Sequence, residues 1–69
     1  MTNEELKQAL TEGCRIIAKL PLLGSIEYAY ISAIVYRKSE SGRIRVRAEL
    51  MDKNLNSVTE VDAEDIKRT

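Results

Sequence analysis

Apolar residues fall in two different rhythms along this chain. Near the start, Leu6, Ala9 and Leu10 recur at helical spacing, while Lys7, Gln8, Thr11 and Glu12 occupy the rest of the wheel. The punctuation of a helix surrounds them. Thr2 is a good N-cap, Glu5 stands where it completes a capping box, and Met1 and Leu6 hold the positions of a hydrophobic staple. Gly13 is the natural residue to end the helix in left-handed geometry. A helix this short is not stable alone in water, so it must dock on something.

After Gly13 the rhythm changes to that of strands. Cys14–Leu20 is rich in isoleucine and stops at Pro21, which lacks an N–H and marks an end or an edge. Pro21–Ser25 reads as a loop with Gly24 as its turn residue, and Leu22 and Leu23 are apolar for such a position. Ile26–Lys38 is the longest predicted strand. Ala29, Ile31, Ala33 and Val35 alternate there with Tyr28, Tyr30, Ile34 and Tyr36, so both faces are expected to be covered, one of them by the helix through Leu6 and Leu10. Ser39–Gly42 is a hairpin loop. The next strand, Arg43–Met51, places Ile44, Val46, Ala48 and Leu50 on one side and Arg43, Arg45, Arg47 and Glu49 on the other. Asp52–Asn56 is a second turn, and Ser57–Val61 a short last strand. Asp62 is placed to cap one helical turn, Ala63–Lys67, that returns Ile66 to the core.

The expected fold is α+β and mainly β, one domain over residues 1–69. An N-terminal helix (1–13) precedes an antiparallel, barrel-like meander of four to five strands (14–69) that ends in a helical turn. The expected core is Ile16, Ala18, Ile31, Val35, Ile44, Val46, Leu50, Val58 and Ile66. Closing the sheet toward a barrel is the economical way to hide strand edges in so short a chain.

From Tyr28 onward the chain resembles SH3-like barrels. The Tyr/Ile strand, the Ser-Gly hairpin and the run Glu49-Leu50-Met51-Asp52-Lys53-Asn54 look like their central meander, and Val58 to Ile66 like their last strand and short helical turn. In style the chain is also similar to small uncharacterised proteins of phages and integrated elements in Gram-positive bacteria. The resemblance implies a small-barrel fold. It does not extend to proline-rich peptide binding, because the chain has no Trp or Phe and lacks an Ala-Leu-Tyr-Asp-Tyr run. A shared fold carries no function by itself.

Composition narrows the chemistry. A chain of 69 residues has room for one modest core. Cys14 is its only cysteine and histidine is absent, so neither an intrachain disulfide nor a histidine-based zinc site is available. Cys14 is read as a buried structural thiol of a reducing compartment, and a cytoplasmic location is expected. The acidic, polar start is unlike a secretory signal, and no apolar run approaches membrane-spanning length. No serine or tyrosine has a base placed to activate it, the three glycines are isolated, and the carboxylates Glu60, Asp62, Glu64 and Asp65 lack the spacing of a calcium loop. No catalytic residue, cofactor or metal is therefore expected, and the chain reads as a non-enzyme.

Two surfaces remain. Net charge is zero, yet Arg37, Lys38, Arg43, Arg45 and Arg47 against Glu40 leave +4 between residues 37 and 47, followed by an acidic stretch to Asp65. Arg43, Arg45 and Arg47 would stand in a row on one strand face, flanked by Arg37 and Tyr36. That row is either a solvated outer face or a contact for nucleic acid or an acidic protein. Leu22, Leu23, Tyr28 and Tyr30 form the second candidate, for self-association, although the tyrosines are read first as core or helix contacts. The leading functional reading is a small non-catalytic protein-interaction module that binds an unidentified partner or a second copy of itself. The alternative is an accessory nucleic-acid binder that uses the basic hairpin.

Overall fold

The computed structural model describes all residues, 1–69, and is α+β and mainly β, with one helix and six strands. Helix α1 spans Asn3–Glu12 with the expected caps. Thr2 Oγ1 accepts from the Glu5 N–H, the Glu5 carboxylate accepts from the Thr2 N–H, and Gly13 closes the helix at φ 67°. Leu6 and Ala9 are fully buried and seat the helix over the sheet below. Leu10, expected to share that role, lies at the margin of the contact and is 38% exposed, whereas Ala9 is fully buried.

The strands are β1 (Ile16–Leu20), β2 (Gly24–Tyr28), β3 (Tyr30–Lys38), β4 (Ile44–Met51), β5 (Val58–Asp62) and β6 (Ile66–Arg68). They form two antiparallel sheets of three strands, ordered β2-β1-β6 and β3-β4-β5. The expected single strand Ile26–Lys38 is two strands. The chain breaks at Ala29, whose N–H crosses to the Met51 carbonyl at 2.9 Å, and so passes from the first sheet into the second. It returns through the 3-10 turn Ala63–Asp65, shorter than expected, after which Ile66–Arg68 pairs with β1 as a sixth strand that the sequence pattern did not disclose. The sheets are not closed into a barrel. The β1–β6 ladder covers only Ile16–Ala18, and no ladder joins β5 to β1.

A bulge in β3 decides which residues are inside. Ile31 stands opposite Leu50 and Ala33 opposite Glu49, so Ser32 is left over; its hydroxyl donates to the Glu49 carbonyl at 3.2 Å. The extra residue switches the alternation. Ile31, Ile34 and Tyr36 share the inner face, while Ala33, Val35 and Arg37 lie on the outer one. Val35, expected in the core, therefore sits half-buried outside, opposite Arg47.

The core comprises Leu6, Ala9, Ile16, Ala18, Tyr28, Ile31, Ala48, Leu50, Val61, Ala63 and Ile66. Val46 packs against it from the side, as do Met1 and Cys14, which lies just before β1 and is half-buried. Two other expected core residues are not there. Ile44 faces inward by alternation but is 66% exposed, because β5 pairs only with Arg47–Met51 and leaves the far end of the β3–β4 hairpin uncovered. Val58 stands opposite Met51 on the outer face, and Val61 takes the inner position expected of it. The two ends of the chain also meet: the Met1 nitrogen donates to the carbonyls of Ala63 and Ile66.

Candidate interaction surfaces

The outer face of the β3-β4-β5 sheet carries the arginines. Arg37 and Arg45 stand directly opposite each other, an arrangement that repels unless anions intervene. The neighbouring strand supplies them, since Asp62 lies opposite Arg47 and Glu60 opposite Glu49. Arg37 forks onto Glu60 with contacts of 2.8 and 2.7 Å. Asp62 accepts from Arg45 Nη2 and from Arg47 Nη1, each at 2.7 Å. Arg47 also brings its Nε to 2.6 Å from Glu60 Oε2 and donates through Nη2 to the Glu60 carbonyl at 3.3 Å. The Nε contact is a close ion pair bent away from hydrogen-bond geometry, which leaves the Nε proton without an acceptor.

This network alters the electrostatics of the face. The Arg37 fork, reinforced by Arg47, holds the Glu60 carboxyl down to about 2, and Glu60 in turn raises the Arg37 guanidinium above its ordinary value. The Arg47 side chain is only 25% exposed, so the last arginine of the expected row lies under its partners rather than in solvent. Arg45 and Arg37 stay exposed but carry carboxylates. Arg43 precedes β4, is exposed and has no carboxylate within ion-pair distance, and the same holds for Lys38. Tyr36 is not part of this face. It lies on the inner side of β3, where its hydroxyl donates to Asn3 Oδ1 at 2.8 Å and ties the hairpin to the start of α1.

Glu60 and Asp62 were the missing half of the site. Their i, i+2 spacing matches that of Arg45 and Arg47, and this is the one signal in the sequence that the two rows could face each other. Only the β4–β5 register makes them do so.

The second group of candidates divides. Tyr28 is a core residue, 5% exposed and opposite Ile16, so it is unavailable to a partner. Tyr30 is half-buried at the start of β3, opposite Met51. Leu22 and Leu23 occupy the turn between β1 and β2 and are 105% and 70% exposed. The turn is tight, with the Leu23 N–H donating to the Pro21 carbonyl at 2.8 Å, and Leu22 adopts φ 68°. Leu55 has a similar backbone (φ 59°) but stands alone between Asn54 and Asn56, in a loop shaped by Asp52, whose carboxylate accepts from the Asn56 N–H and the Ser57 hydroxyl.

The clefts of the molecule are shallow and open. One of about 400 Å³ lies on the outer side of α1 among Glu4, Lys7, Gln8, Thr11 and Glu12, without a hydrophobic residue. Another, of about 240 Å³, lies between Met1, Val46 and Ala63 and is edged by Arg45, Asp62 and Glu64. No three Cys, Asp or Glu side chains converge as a metal site requires. No helix is long and apolar enough to cross a membrane. Comparison with protein-family models, with curated proteins and with solved structures found no match for this chain.

Proposed function

We propose that this chain is a small non-catalytic protein-interaction module whose contact element is the Pro21–Gly24 turn. One observation carries the reading: Leu22 is fully exposed in a backbone conformation that leucine disfavours. An L-residue with a Cβ loses about 1 kcal/mol in left-handed geometry. Glycine or asparagine is the ordinary occupant of such a position. Leucine there gains no intrachain packing to offset the cost, and Leu23 beside it is also out of the core. Two adjacent unburied leucines on a tight turn have a physical rationale when something outside the chain covers them.

The arginine face supports the same reading by subtraction, because most of its charge is already committed to Glu60 and Asp62. The strand arrangement supports an SH3-like relationship as part of the proposal, since both β2–β3 and β5–β6 run from one sheet into the other. The unpaired Cys14 supports a cytoplasmic setting.

The test compares the wild-type chain with a Leu22→Asp/Leu23→Asp variant as affinity baits in an extract of the source organism, after circular dichroism has shown that both fold. A discrete protein retained by the first and lost by the second is the expected result. Equal recovery on both baits would overturn the proposal.

A further inference from the structure

The hairpin end that β5 leaves bare carries both halves of a contact. We infer that the inner face of the β3–β4 hairpin pairs two copies of this chain about a two-fold axis. Ile44 of each copy then sits in the cleft between Met1, Val46 and Ala63 of the other.

Ile44 and Lys38 stand directly opposite each other across the hairpin, as do Val46 and Tyr36, so these four side chains share one face. Ile44 and Tyr36 are both exposed on it. The cleft begins at Val46, two residues along the same strand and roughly 7 Å from Ile44. It measures about 240 Å³. A void of about 150 Å³ takes a benzene ring, so an isoleucine side chain has room. Because projection and cleft lie side by side, one two-fold axis between them forms both contacts at once and closes the pair. On opposite faces of the molecule, the same complementarity would give open chains instead.

Charge matches this arrangement. Lys38, beside Ile44, is exposed and outside every ion pair of the chain, and so is Glu64 on the rim of the cleft. The other charges at the cleft are satisfied internally. Arg45 and Asp62 meet at 2.7 Å, and the Met1 ammonium donates to the Ala63 and Ile66 carbonyls. The two-fold therefore sets Lys38 of each copy toward Glu64 of the other. An anionic bilayer favours cations around an apolar contact, and Glu64 is misplaced for one. A handful of apolar side chains is a small patch beside the roughly 800 Å² per partner of a standard interface, so the pair should be weak and reversible.

Sedimentation equilibrium from about 10 µM to about 1 mM should show an average mass rising from 7.8 kDa toward twice that value. Ile44→Asp should remain at 7.8 kDa throughout. The Leu22→Asp/Leu23→Asp variant should associate as the wild type does, which keeps this contact distinct from the turn. Lys38→Glu and Glu64→Lys should each weaken association at least about tenfold, because like charges then face each other twice. Mixed in equal amounts, those two variants should pair with each other as tightly as the wild type does with itself, since both contacts of the mixed pair again join opposite charges. A strict monomer at about 1 mM would leave this face to another occupant and overturn the inference. A dimer that survives Ile44→Asp, or no recovery in the mixture, would overturn it as well; none of these outcomes touches the reading of the turn.

Discussion

Arg47 and Asp62 stand opposite each other across β4 and β5, with Nη1 of the arginine 2.7 Å from Oδ1 of the aspartate. Asp62 was expected to cap the following helical turn, but no cap bond forms from its side chain, because both carboxylate oxygens are held by arginines. The pair therefore helps to fix which residues of β5 oppose β4 and how much free charge the hairpin shows to solvent.

The network makes stability depend on acidity in a defined direction. Glu60 ionises at about 2 in the folded chain, below its ordinary 4.5. A depressed carboxylate stabilises the fold fully above its unfolded pKa, and the contribution is lost as pH falls through the folded value. The wild-type melting temperature should accordingly drop between about pH 5 and pH 2. Glu60→Gln should begin lower at neutral pH and fall less steeply in that window. Some slope should persist, since Glu5, Glu12, Glu27 and Asp52 are also held below their ordinary values by hydrogen-bond partners, and so act in the same direction. Thermal melts across the pH range check this, and parallel curves for the two proteins would refute it.

Leu6 is the anchor of α1. It is fully buried, and Leu6→Ala should cost about 2–5 kcal/mol. A single core of this size supplies only about 3–5 kcal/mol in total, so the variant should lose its cooperative urea transition. Leu10→Ala, at a position of the same helix that is 38% exposed, should cost clearly less than Leu6→Ala.

The backbone at Leu22 predicts a trade of stability against binding. Leu22→Asn should raise the unfolding free energy by up to about 1 kcal/mol, because asparagine tolerates the left-handed region that leucine disfavours. The same change should weaken capture of the partner. The denaturant midpoint and the affinity bait measure the two effects separately, and a destabilised variant would mean that Leu22 has packing within the chain after all.

Nucleic acid offers a sharper test now that the ion pairs are located. With Arg37, Arg45 and Arg47 engaged by Glu60 and Asp62, no mobility shift of single- or double-stranded DNA or RNA is expected, even at low salt. Should a shift occur, the cations without carboxylate partners should carry it, so that Arg43→Ala and Lys38→Ala weaken it more than Arg45→Ala does.

The elements set by near neighbours were legible in the chain itself. Thr2, Glu5 and Gly13 define the helix through bonds no more than four residues long, and the alternation of Ile44, Val46, Ala48 and Leu50 against Arg45 and Arg47 is a property of one strand. The candidate turn was legible for the same reason, since Leu22 and Leu23 are conspicuous beside Pro21 and Gly24. Their exposure was not, because burial depends on what else arrives. Tertiary structure made the remaining decisions. The Ser32 bulge moved Val35 to the outer face, the short reach of β5 left Ile44 uncovered, and the Ala29 break divided one expected strand between two sheets. Most of all, the β4–β5 register brought Glu60 and Asp62 onto the arginines. Charges 13 or more residues apart have no local signal for their pairing; they meet only when long-range backbone ladders choose a partner strand and an alignment.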